Sequence, residues 1–196
     1  MTLANSMILV DQTSVPLATP DLIQDLGGSI SEGPWILTAN ILPLAALMVM
    51  GGRLGDLLGL RRVFLAGACL YVASSALVGF SQDVIWAIAA RAAQGFGAAL
   101  MMPTALAIVS SMYAGPERGR ALGILAGASA FFAALGPVLG GVLTSLDWRL
   151  VFLINVPLAV VTIMLTSSAT PVSNPIRMPR VRSTIRGWSR LASASR

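Results

Sequence analysis

The stretch "GGRLGDLLGLRR" at residues 51–62 holds four glycines, three arginines and one aspartate between two apolar runs. "WILTANILPLAALMVM" (residues 35–50) precedes it and "VFLAGACLYVASSALVGF" (residues 63–80) follows it. A charge cluster in that position reads as a short aqueous loop between two segments buried in hydrocarbon. A helix needs ~20 residues to cross ~30 Å of bilayer core, and each run comes near that length. Lipid satisfies no backbone hydrogen bond, so a crossing segment must be a helix or part of a closed barrel. Barrel strands alternate apolar and polar residues and these runs do not, so helices are predicted.

The rest of the chain extends the pattern. Of 196 residues, 56% are hydrophobic and only 11% charged, where a soluble domain averages roughly a quarter charged. Six spans are predicted, at about residues 3–18, 35–50, 63–80, 84–109, 121–146 and 150–165. The fold class is therefore all-α, a polytopic membrane protein. Residues 1–167 form the six-helix domain. Residues 168–196, with six arginines and no acid, read as a basic, disordered cytoplasmic tail that touches anionic lipid.

Several function classes drop out. There is no histidine and one cysteine, Cys69, so no disulfide framework or cysteine-based metal site forms within the chain. The commonest general base is missing, and no paired acids occur within the spans, so no enzyme is expected. The pI near 11.0 does not imply nucleic acid, because no soluble basic domain carries it. The N-terminus lacks the basic region of a signal peptide, and Asp11 interrupts its apolar stretch.

Arginine placement sets the expected orientation. With the N-terminus inside, eleven arginines are cytoplasmic: Arg53, Arg61, Arg62, Arg118, Arg120 and the six of the tail. Arg149 alone lies outside, and Arg91 lies within a span. The cell membrane, with both termini cytoplasmic, is the expected location. Topogenesis does not explain Gly52, Gly55, Gly59 and Asp56. The glycines permit a tight turn. Asp56 among Arg53, Arg61 and Arg62 reads as a charge knot that could lock two helix ends, or as a plain solvated loop.

These residues resemble the Gly-x-Leu-(Ala/Gly)-Asp-Arg-x-Gly-Arg-(Arg/Lys) element of the major facilitator superfamily of secondary transporters. Leu57 and Leu60 depart from it, and Arg61 and Arg62 keep its basic end. Three further stretches agree in order. "RAAQGFGAA" (residues 91–99) resembles the family's Arg-x-x-Gln-Gly-x-Gly-x-Ala element. "LGPVLGG" (residues 135–141) resembles Gly-Pro-x-x-Gly-Gly, associated with antiporters. "VDQTSVPLATP" (residues 10–20) is similar to a first-helix element of the fourteen-helix drug:proton antiporters, with Pro16 in place of the usual Asn. The resemblance covers the N-terminal six-helix half of that fold, two inverted three-helix repeats. It implies proton-coupled efflux of apolar or cationic small molecules, with the proton gradient in place of a cofactor. The lipid bilayer is a partner, together with a homodimeric copy or a C-terminal half. A truncated, non-transporting fragment is the alternative reading.

The charges inside the spans mark the expected site. Arg91 lies about seven residues from the outer end of span four, or ~10 Å at 1.5 Å per residue, and Asp11 at a similar depth in span one. A central charge costs ~2.5–3.5 kcal/mol on insertion scales, so each needs a partner. Asp11 and Arg91 are predicted to share one polar pocket at the repeat interface, with Gln94 one turn from Arg91. Asn40 and Asn155 are candidate pocket amides or packing contacts. Gly136, Pro137, Gly140 and Gly141 are predicted to pack and bend span five.

Overall fold

The computed structural model describes residues 2–169. The tail assigned to residues 168–196 lies almost wholly outside them. The chain forms α1 (Thr2–Asp25), a 3-10 turn (Ile30–Glu32), α2 (Gly33–Leu58), α3 (Leu60–Gly79), α4 (Val84–Met112), α5 (Gly115–Leu146), α6 (Arg149–Leu153) and α7 (Asn155–Ala169).

Among the described residues, five helical stretches are long and apolar enough to cross a membrane: Ile30–Leu58, Leu60–Gly79, Val84–Met112, Gly115–Leu146 and Arg149–Ser168. The remaining predicted span, α1, has 24 residues, enough length but less apolar sequence. Its polar side chains Asn5, Ser6, Asp11, Ser14 and Thr19 are all buried. They turn into the bundle, while Leu3 and Leu17 point outwards.

The boundaries differ from expectation in ways that packing explains. Residues 51–62 are not a loop. α2 continues to Leu58, α3 begins at Leu60, and only Gly59 leaves the helix, with φ +98°. Gly51 and Gly55 do not turn the chain; they let α2 lie against Ala99 and Thr104 of α4. α1 runs through Pro16 and Pro20, both on its exposed side, to Asp25. α5 starts at Gly115, with a proline in its first turn, where a missing N–H costs nothing. Span six is broken at Ile154 into α6 and α7.

Two seams dominate. α1 lies along α5, and α2 lies along α4, with α3 on the other side of α4. Exchanging α1 with α4 and α2 with α5 converts one seam into the other, as two three-helix repeats require. The apolar core falls into two clusters. One contains Ile8, Leu44, Tyr71, Ala98 and Ala159. The other contains Val15, Ile36, Val78, Ala90 and Phe152. Asp11, Asn40, Ser75, Arg91, Gln94 and Asn155 occupy the intervening turn of their helices. The sequence thus places a polar layer between two apolar ones.

Candidate functional site

The polar layer is built on one ion pair. Arg91 Nη1 of α4 stands 2.6 Å from Asp11 Oδ2 of α1. Their exposures are 1% and 2%, so water does not share the interaction. The other carboxylate oxygen, Oδ1, accepts from Gln94 Nε2 at 3.3 Å and from Asn155 Nδ2 at 3.2 Å. Arg91 Nη1 also donates to Gln94 Oε1 at 2.7 Å, and Arg91 Nε donates to the Ile36 carbonyl at 3.3 Å. The ring of Phe152 lies 5.7 Å from the guanidinium carbon. α1, α2, α4, α6 and α7 therefore all touch one pair of charges. A buried pair is tolerated when further hydrogen bonds satisfy its remaining lone pairs and protons.

Four of the five residues expected in the pocket meet: Asp11, Arg91, Gln94 and Asn155. Asn40 does not join them. Its amide donates to the Arg91 backbone carbonyl at 3.5 Å, a contact of the α2–α4 seam, where Gly95 lies against Asn40 backbone. Ser75 of α3 was not anticipated. It receives hydrogen bonds from Gln94 Nε2 at 3.3 Å and Asn155 Nδ2 at 3.4 Å, and donates to the Phe152 carbonyl at 2.9 Å. The pair Ser74–Ser75 inside an apolar span was the available signal.

Gly136 and Gly140 of α5 meet α1. A Cβ on Gly136 would collide with Thr13, and one on Gly140 would stand 2.9 Å from the Cα of Ser14. Pro137 has no N–H for the carbonyl four residues back, Ala133. Thr13 Oγ1 lies 3.1 Å from that carbonyl and shares its one proton between it and the Leu9 and Val10 carbonyls of α1, at 3.1 and 3.0 Å. Ser14 Oγ donates to the Gly136 carbonyl at 2.7 Å. Gly141 faces away, with no atom within 4 Å of its Cβ position.

The charge knot is not formed. Asp56 is exposed and has no ion pair among the described residues, and Arg53 and Arg62 are exposed as well. Arg61 reaches the Ser167 carbonyl near the end of α7. Gly52 lies near Pro103 of α4, and Gly59 makes the turn. A helical α2 spaces Arg53 and Asp56 along its own surface and points them to solvent.

A second ion pair closes the opposite end of the bundle. Arg149 Nη1 lies 2.6 Å from Asp25 Oδ2, and Trp148 Nε1 donates to the same oxygen at 3.2 Å. The Arg149 hydrogen bond, then that of Trp148, holds the Asp25 carboxyl below its usual value.

The family model of the Major Facilitator Superfamily matches residues 1–195. The chain is 38% identical over 170 residues to the uncharacterized MFS-type transporter EfpA of Mycobacterium tuberculosis, covering 86% of this chain and 32% of that protein. It is 37% identical over 183 residues to the cephamycin export protein CmcT of Amycolatopsis lactamdurans, covering 91% and 37%. It is 33% identical over 156 residues to the multidrug transporter protein MdtP of Bacillus subtilis, covering 79% and 29%. The chain spans about a third of the length of these curated relatives. With five helical stretches apolar enough to cross a membrane among the described residues, the buried Asp11–Arg91 layer and a family match along almost its whole length, this chain belongs to the Major Facilitator Superfamily.

Proposed function

We propose that the chain forms one side of a proton-coupled export path for small apolar or cationic molecules, with Asp11 as the proton carrier. The observation that carries this is the Asp11–Arg91 pair, buried at 2.6 Å within a layer of amides. A proton on Asp11 cancels the anion that Arg91 faces and leaves the guanidinium with Gln94 and a backbone carbonyl. Breaking a buried pair costs about 3–5 kcal/mol. One charge moving down a membrane potential releases ~2.3 kcal/mol per 100 mV, so a total proton driving force of roughly 130–220 mV matches that cost. No cofactor is needed beyond that gradient.

The path needs a second wall, which a second six-helix bundle supplies. The relatives named as exporters support the direction of transport. In this reading the protein lies in the cell membrane with its N-terminus and the end of α7 cytoplasmic, on the arginine asymmetry.

Efflux of a lipophilic cationic dye from cells that make the protein tests the proposal. Export is expected to collapse with a protonophore and to be lost in Asp11→Asn at unchanged membrane level. Dye export that survives Asp11→Asn would remove Asp11 from the coupling role. No export by the wild-type protein at normal membrane level would overturn export by this chain.

A further inference from the structure

The two repeats do not close equally well. α3 packs closely along α4, because Gly97 admits the backbone of Tyr71; a Cβ there would stand 2.7 Å from the Tyr71 nitrogen. The equivalent partner of α1 is the sixth span, α6 and α7. Neither it, between residues 149 and 169, nor α1 has a glycine to match Gly67 and Gly97, and the two touch only lightly. Where the symmetry fails, a cavity of about 250 Å³ opens between α1, α5 and the sixth span. Its walls include Met7, Phe132, Leu139 and Leu158, and it reaches Asp11 and Asn155 at its inner end. Phe132, Leu139 and Leu158 are also exposed, so the mouth is apolar.

One lining group has no structural employment. Ser6 is 4% exposed, and its hydroxyl has no hydrogen-bond partner. The other polar linings are engaged: Ser14 with the Gly136 carbonyl, Asn155 with Asp11, and Asp11 with Arg91. A buried hydroxyl left unpaired costs free energy, and a ligand can remove that cost. Because Arg91 already balances Asp11, the cavity offers no net charge, and a charged ligand end would be buried without a counter-ion. The volume is just below the ~300–1,000 Å³ of pockets that enclose whole drug-sized molecules, so a slim chain or single ring fits.

We infer that this cavity is a binding site for an uncharged amphiphile, an apolar chain or ring inserted between α1, α5 and α7 with a hydroxyl-type end on Ser6. Its source is a membrane lipid with an uncharged head or an apolar solute dissolved in the bilayer. That the occupant is cargo rests on the exporter reading; that it binds does not.

Photoreactive diazirine probes of one chain length test this on the full chain purified in nanodiscs. Four are compared, ending in a hydroxyl, a quaternary ammonium, a carboxylate or a plain methyl group. The alcohol is expected to label peptides around Phe132, Leu139 and Leu158 most strongly. Ser6→Ala is expected to lower that labelling about threefold to tenfold, the worth of one hydrogen bond, and to leave the methyl probe unchanged. Ser6→Ala removes only an unpaired hydroxyl, so its unfolding midpoint should match the wild type. Leu158→Phe fills the mouth and should block all labelling there. Equal labelling by the alcohol and methyl probes, unaffected by Ser6→Ala, would mean bulk lipid tails alone and overturn the site. Preference for the ammonium or carboxylate probe would overturn the uncharged class. Competition by a monoacylglycerol or by an aromatic alcohol supports the site and tells which source occupies it. The readout needs no transport, so failed export and failed binding are separate results.

Discussion

At the scale of single residues, Asp11 is held by three donors, and Arg91 depends on it more than it depends on Arg91. Arg91→Gln leaves the carboxylate two amide donors. Asp11→Asn leaves a buried cation with neutral acceptors only, the Asn and Gln94 oxygens and one carbonyl, and turns its NH2 toward two other amides. Asp11→Asn is therefore expected to be the worse single change. The double variant should be milder than the sum of the singles by about 0.5–3 kcal/mol, the range for directly coupled groups. Denaturant unfolding of the four proteins in detergent measures this; additive losses would show that the pair does not couple. This part of the site was legible in the sequence because a charge inside an apolar run has to find a partner. Ser75 was not, since a serine can satisfy itself on its own helix turn. Asn40 was singled out but faces the α2–α4 seam, because the rotation of α2 decides where an amide points. Asp25 yields a pH prediction. Its pKa is lowered on folding, chiefly by Arg149, so the stability it contributes is present above the unfolded value of 3.8 and is lost as pH falls through the lower folded value. Thermal unfolding from pH 6 down to pH 3 should show a step below about pH 4 that Asp25→Asn lacks. A step retained in Asp25→Asn would assign it to another carboxylate.

At the scale of elements, the α1–α5 seam is where a sequence motif becomes a contact. Pro137 frees the Ala133 carbonyl, and the Thr13 hydroxyl of the neighbouring helix divides its one proton between that carbonyl and those of Leu9 and Val10. Thr13→Val keeps the shape and removes the donor, so it should cost about 0.6 kcal/mol and at most ~1.7, the measured span for such bonds between membrane helices. Gly140→Leu should be far worse, because the added side chain meets the backbone of Ser14. Gly141→Leu, one position on, enters open space and should leave the unfolding midpoint nearly unchanged. Similar losses at both glycines would mean that α5 is rotated from the orientation described. The motif was readable in the sequence, but its facing was not, since Gly140 and Gly141 differ only in which side of α5 they occupy. Helix ends were misread for a related reason. Glycines at 51, 52 and 55 carry a turn signal. In membrane helices they also permit close approach, and here the contact with α4 prevails over their poor helix propensity.

At the scale of the whole molecule, what remains to test is which way the bundle lies in the membrane. The helix order and the two seams are independent of orientation, because the bundle would pack the same way inverted. Only the charges at its ends discriminate. The end carrying Arg53, Arg61, Arg62, Arg118 and Arg120 has a strong excess of arginine, and the other end carries Arg149 against Asp21, Asp25, Glu32, Asp83 and Asp147. The positive-inside rule counts arginines in short loops, and both ends have short loops, so it applies here. Cys69 is exposed on α3 and must first be replaced. In a Cys69→Ala background, a cysteine at Gly119 near the start of α5 should be shielded from a membrane-impermeant thiol reagent in intact cells. It should react once the membrane is permeabilised. A cysteine at Ser31, in the turn before α2, should react in intact cells. Both positions are exposed in the fold, so neither result can be an effect of burial. The reverse pattern would invert the bundle and place the Asp25–Arg149 tie in the cytoplasm. Labelling of both positions from outside would mean an even number of crossings between them, so that one of α2, α3 and α4 does not cross.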